Sequence, residues 1–183
     1  MTLFLTLVKN IKVIKSEKKL KELTAIISRS NKLAISEAIK ALRGEESFEG
    51  AIGLLASFYD RSEEVMILKT IENFFNDIKD KSARIEVIEE IRKPWKPDTI
   101  SMLVASCWQS GLDYSDYIND MARTYLKCEY HTAIECMTVI EASVLNCSKE
   151  RKDEIIKIIE DSPLTGVNEK SALTLELISI LER

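Results

Sequence analysis

One histidine, four cysteines and an uneven spread of carboxylates limit the chemistry open to this chain. Cys128, His131 and Cys136 stand in a C-x2-H-x4-C spacing, and thiolates with an imidazole suit zinc. A closed structural zinc site takes four ligands, and only these three cluster. They therefore read as packing cysteines beside a histidine at a helix junction, and no metal or cofactor is expected. Cys107, Cys128, Cys136 and Cys147 contain no CxxC pair and lie in apolar helical contexts, the usage of reduced thiols in a cytosolic protein. There is no P-loop, GxGxxG, HExxH, GxSxG or EF-hand loop. His131 is the single imidazole and nothing in the sequence positions a triad around it, so no catalytic residue is assigned.

The carboxylates offer a second kind of chemistry, recognition. Asp113, Asp116 and Asp120 cluster at a helix start, with Asp116 and Asp120 one turn apart. Two readings stand. Asp113 and Asp116 cap the helix and favour its positive end while Asp120 pairs with Arg123. Alternatively they form an acidic partner-binding patch with Tyr117 as its aromatic anchor, extended by Glu86, Glu89 and Glu90 on the preceding helix and Asp153 on the following one. Trp95, in the Lys93-Pro-Trp-Lys-Pro97 loop, joins the candidate contacts, whereas Trp108 falls on an apolar stripe and is expected in the core. Charge is divided along the chain. Residues 1–43 carry a net +7 and the remainder −11, so a basic end sits beside an acidic body that favours a basic protein or peptide and disfavours nucleic acid.

The elements that must position these groups are helices. Five Gly and three Pro among 183 residues are too few for a sheet of many tight turns. Helices are expected near 2–14, 17–28, 31–43 and 47–59, with Ser16 and Asn31 as N-caps and Gly44 as a stop. From Ser57 onward a helix pair recurs about every 35 residues, the mark of an α-solenoid. Asp60 to Lys93 forms one such unit, with Asp60 and Glu63 in capping-box spacing, Val65, Leu68, Ile71 and Phe75 as a stripe, and Ile85, Ile88 and Ile91 on the partner helix. Pro97 to Lys127 follows, opened by Pro97 and interrupted at Gly111. Tyr130 to Asp161 is the third, with Ser148 capping its second helix. Asn168 caps a last helix. The spacing predicts Leu68, Ile88, Leu103, Met121, Met137 and Ile155 at matching buried positions.

Asp60 with Glu63–Leu68, and Pro97-Asp-Thr-Ile-Ser-Met-Leu103 in the next unit, resemble HEAT repeats of the armadillo-like superfamily. The resemblance implies an all-α, right-handed α-α superhelix of about eleven helices in one domain over residues 1–183. Its basic N-terminal helices span 1–56, its clearest pairs 57–164 and its terminal helix 165–183. It also implies a non-catalytic scaffold that binds a protein or peptide on the face lined by the second helices. DNA alkylation-repair glycosylases are similar in architecture and supply the alternative, a nucleic-acid partner. No apolar run approaches the roughly 20 residues that cross a bilayer, and the N-terminus has no basic start and no cleavage site of a signal peptide, so a cytoplasmic location is expected. Leu173, Leu175, Leu177, Ile178, Ile180 and Leu181 cover more than one face of the last helix, as Leu3 to Ile11 do of the first, and two readings stand: a homodimer through the terminal helices, or a monomer in which residues 1–14 fold back over an end.

Overall fold

Where the chain caps its helices, local chemistry decides the boundaries. The structure, a computed structural model, describes residues 16–29, 31–43, 48–165 and 168–182. The expected helix over 2–14 and the stop at Gly44 lie outside the described residues. Among the described residues ten α-helices follow in order: α1 over 16–28, α2 Lys32–Leu42, α3 Ala51–Arg61, α4 Val65–Asn76, α5 Ala83–Ile91, α6 Pro97–Gln109, α7 Ile118–Lys127, α8 Tyr130–Ser143, α9 Lys149–Glu160 and α10 Ser171–Glu182. Among the described residues there is no strand, and no helix is long and apolar enough to cross a membrane.

Asn31 caps α2 by accepting the Ala34 N–H at 3.1 Å, and Ser148 caps α9 through the Arg151 N–H. Pro97 occupies the first turn of α6, where its missing N–H costs nothing. Gly111 ends that segment at φ +71°, a left-handed conformation that residues with a Cβ rarely adopt. Asp60 departs from the sequence reading. It closes the last turn of α3 instead of opening α4, and its carboxylate accepts the Lys96 N–H and the Thr99 hydroxyl, both at 2.8 Å. It therefore caps α6, 36 residues away, and ties the end of one helix to the start of another. Asp60→Ala should cost about 1 kcal/mol, as lost N-caps do, and should lower the melting temperature without changing helix content at low temperature.

The helices contact one another in two rows. α2, α4, α6, α8 and α10 form successive neighbours in one, α3 packs on α5 and α7 on α9 in the other, and the rows meet through α3–α4, α5–α6, α7–α8 and α9–α10. One apolar cluster runs between them from Ile35 to Leu181, with Phe75, Leu103, Met121 and Tyr125 fully enclosed. A smaller cluster of Leu23, Phe48 and Ala51 seats α1. Burying this apolar area is the main favourable term in such a fold.

The buried faces agree with the expected stripes in some helices and are rotated in others. In α7, Ile118, Met121, Ala122, Tyr125 and Leu126 are all buried, as their spacing predicts. Ile88, Leu103, Met121 and Ile155 are enclosed, while Leu68 and Met137 are half-buried. In α4 the core face is Ile67, Ile71 and Phe75, and Val65 stands in solvent at 78% exposure. Leu33 of α2 is exposed as well. In α5, Val87 is enclosed and Ile85 lies on the opposite side. Trp108, expected in the core, is 41% exposed. Each helix turns about 100° per residue, and Val104 already sits at the edge of the α6 core face. One further turn therefore carries Trp108 out to the surface. In α10, Leu173, Leu177, Ile180 and Leu181 are buried within the chain, leaving Leu175 as the large exposed apolar residue.

Candidate functional site

The acidic residues singled out from the sequence lie on the row of α3, α5, α7 and α9, and most are engaged within the chain. Asp120 forms a two-pronged ion pair with Arg92 at 2.8 and 2.9 Å, which links α5 to α7; Arg123, its expected partner, is not the one that binds it. Asp113 accepts the Ser115 N–H at 2.9 Å, and that bond holds its carboxyl below the usual carboxylate range. Its carbonyl accepts from Arg84, whose guanidinium lies 5.9 Å from the Tyr117 ring. Tyr117 packs half-buried on the core and near Tyr114. Trp95 is also half-buried, with the Lys93 ammonium 5.9 Å from its ring. Glu89, Asp116 and Asp153 remain exposed.

Glu86 and Glu90 face α3 instead of extending an open patch. Glu86 accepts the Gly50 N–H at 3.3 Å, and Glu90 is buried beside Gly53 with Lys93 at 2.6 Å. A Cβ on Gly53 would stand 2.8 Å from the Glu90 carboxylate, which would have to shift to make room for it. Partial burial raises the Glu86 pKa, and repulsion from Glu49, Glu89 and Glu90 adds to the shift against the opposing Gly50 bond. A carboxyl raised in the folded state favours folding while protonated and loses that contribution as pH climbs through its folded pKa. Glu86→Gln should therefore melt higher than the parent at pH 7, and the two should converge near pH 4. A constant difference across that range would rule out this assignment.

The opposite row carries a groove that the sequence reading did not assemble. Its floor is the outer face of α6, where Asp98, Ser101, Ala105 and Gln109 line up on the side away from Leu103. Ser101 and Ala105 are too short to fill the space between α4 and α8, and a trough of about 340 Å3 results. From Asp98 to Gln109 it extends about 16 Å at 1.5 Å per residue. Lys69, Glu72 and Asn76 of α4 form one wall, His131 and Glu135 of α8 the other, and Tyr59 closes one end. The Tyr59 hydroxyl donates to Glu72 at 3.0 Å, and burial followed by that bond raises its pKa. Glu72 also takes the Lys69 ammonium at 3.1 Å. On the far rim the Trp108 indole N–H donates to Glu135 at 2.6 Å, which fixes the ring at the groove edge beside exposed Ile134. Three carboxylates thus face one ammonium.

His131 belongs to this wall and stands in solvent, whereas Cys136 is enclosed in α8. Among the described residues no three His, Cys, Asp or Glu side chains are grouped to hold a metal ion. A sequence signal for the groove does exist: two short residues one turn apart, Ser101 and Ala105, opposite an apolar stripe. The flanking walls come from residues about 30 positions to either side, which no local pattern brings together. The chain matches no family model, and no curated protein or solved structure matches it.

Proposed function

We propose that this chain is a non-catalytic binding module of HEAT-like, solenoidal build that takes a basic segment of another protein along α6. The observation that carries the reading is the α4–α6–α8 groove. It has a floor of short side chains, walls bearing Glu72, Asp98 and Glu135, and an indole held at its rim. Aromatic side chains with a polar tip, set beside charge, are the usual anchors of protein interfaces. A carboxylate-lined trough favours arginine or lysine and speeds their approach. The two rows of helices support the solenoid part of the reading, since such scaffolds bury each unit against its neighbours and leave long surfaces for partners. Glu89, Asp116 and Asp153 on the other row form the competing surface.

The test uses the full chain and fluorescent synthetic peptides of about 12 residues carrying arginines one helical turn apart, followed by anisotropy. Binding should be saturable and weaken as salt rises. Ala105→Arg, which fills the trough with a cation, should weaken it at least tenfold, about 1.4 kcal/mol. Charge reversal at Asp116 and Asp153 should leave it within about twofold. If the reversals abolish binding and Ala105→Arg does not, the partner lies on the other row. Preference for a single-stranded oligonucleotide over every peptide would overturn the protein-binding reading in favour of nucleic acid.

A further inference from the structure

A second hollow lies among the ends of α2 and α4 and the starts of α3 and α5, and it shares no lining residue with the groove along α6. Leu42, Phe48, Ile52, Phe74, Ile78 and Ala83 form its walls, all buried or half-buried, around a volume of about 140 Å3. A cavity of roughly 150 Å3 with walls of this kind takes a benzene-sized ring. Arg43, Asp77, Lys79 and Asp80 stand exposed at its mouth. One charged group lies deeper, the half-buried carboxylate of Glu86.

The charges at the mouth are engaged within the chain. Arg43 pairs with Asp77 and donates to the Asn73 carbonyl at 2.9 Å, and Lys79 donates to the Ser110 carbonyl at 2.6 Å. Asp80 accepts the Ser82 N–H and hydroxyl at 2.8 and 2.7 Å. Glu86 differs. Its carboxylate accepts the Gly50 N–H at 3.3 Å, a long bond, and no lysine or arginine among the described residues lies within ion-pair distance of it. Lys93, just past the end of α5, is taken by Glu90 at 2.6 Å. Glu49, Glu89 and Glu90 add negative charge around it. A carboxylate drawn partly out of water among like charges is the kind of group that a bound cation relieves.

We propose that this cavity binds a small organic ammonium ion carrying one apolar ring, with the ring among Phe48, Ile52 and Ile78 and the ammonium on Glu86. Apolar walls with a single well-placed charge are the usual make-up of a small-molecule site. The volume admits one ring, and the walls offer a hydrated inorganic cation nothing in exchange for its water. The lining carries three carboxylates against two cations, and both cations already have partners, so a cationic head fits better than an anionic one. The ionisation of Glu86 agrees: burial raises its pKa and the neighbouring glutamates add to the shift, and a bound ammonium would oppose both by favouring the carboxylate. Without a cation Glu86 lowers stability at neutral pH, a trade common at binding sites.

The test titrates the full chain, labelled at its isoleucine methyl groups, with three probes of one shape at pH 7: benzylamine, benzyl alcohol and benzoate. Benzylamine should shift the Ile52 and Ile78 methyl signals saturably and bind at least tenfold more tightly than either of the others, as a charge-assisted contact to a carboxylate predicts. Glu86→Gln keeps the shape of the side chain and removes its charge. The variant should fold at least as stably as the parent at pH 7, still take benzyl alcohol, and bind benzylamine no better than the alcohol. The comparison of probes in the parent chain stands without any variant. Equal affinity for benzylamine and benzyl alcohol, a preference for benzoate, or a preference for benzylamine that survives Glu86→Gln would each overturn the proposal. So would methyl shifts at Ile134 in place of Ile52 and Ile78, which would put the amine on the carboxylates of the α4–α6–α8 groove.

Discussion

Leu103→Ala should destabilise the protein by about 2–5 kcal/mol, the range for cavities opened in a packed core. Leu103 is fully enclosed at the middle of α6, the helix that contacts α4 and α8 in its own row and α3 and α5 in the other. Few positions offer less freedom to collapse around a lost side chain. At 183 residues each kcal/mol lowers the melting temperature by roughly 2–4 °C. Calorimetry should therefore register a fall of at least 4 °C. The control is on the same helix. Trp108→Ala removes a larger side chain, but from the surface, and should cost under about 1 kcal/mol, the scale of its exposed hydrogen bond to Glu135. If Trp108→Ala proves the more damaging, the assignment of core and groove faces on α6 is reversed.

That pair of residues also shows what a sequence discloses and what it withholds. Helix ends were legible at Asn31, Pro97, Gly111 and Ser148, because a cap is a contact between near neighbours and its residue types are few. The α7 stripe was legible because charged and polar residues surround it, leaving one apolar face. α6 is mostly apolar or small, so its period marks a helix without marking which side is inside. Trp108 was misplaced for that reason. Asp60 looks like a local cap in sequence, yet its bonds run to Lys96 and Thr99. Asp120 has a positive neighbour in Arg123 at helical spacing, but binds Arg92 from α5. Glu86 and Glu90 read as solvent-facing because glutamates usually are; Gly50 and Gly53 on α3 give them a backbone donor and a space that no periodicity reveals. In each case the deciding partner comes from another helix, and a single sequence does not state which helices meet.

Lys170→Met should cost about 2–3 kcal/mol, chiefly through the three hydrogen bonds that one ammonium gives to backbone carbonyls. The last carbonyls of any helix lack partners within it, and those of α7 at Tyr125 and Leu126, with that of Cys128, converge on this one ammonium. The negative end of the helix makes a cation there more favourable than a neutral donor, and hydrogen bonds to charged groups contribute about 1.5–3 kcal/mol. Methionine keeps an apolar stem of similar length and removes the ammonium, which also lies 5.3 Å from the centre of the Tyr125 ring, so the change tests the charge. Lys170 immediately precedes α10, and with the Tyr125–Thr174 hydroxyl contact of 2.8 Å it joins α7 to the terminal helix. Loss of the charge should therefore appear first as faster amide exchange in α10, at temperatures where α4 and α6 are still protected. The melting temperature should fall by roughly 4–12 °C at 2–4 °C per kcal/mol. Lys170→Arg, which restores a cation with several donors, should recover most of the loss. A methionine variant as stable as the parent, with α10 equally protected, would show that the α7 carbonyls are met by water and that apolar contacts alone hold the terminal helix.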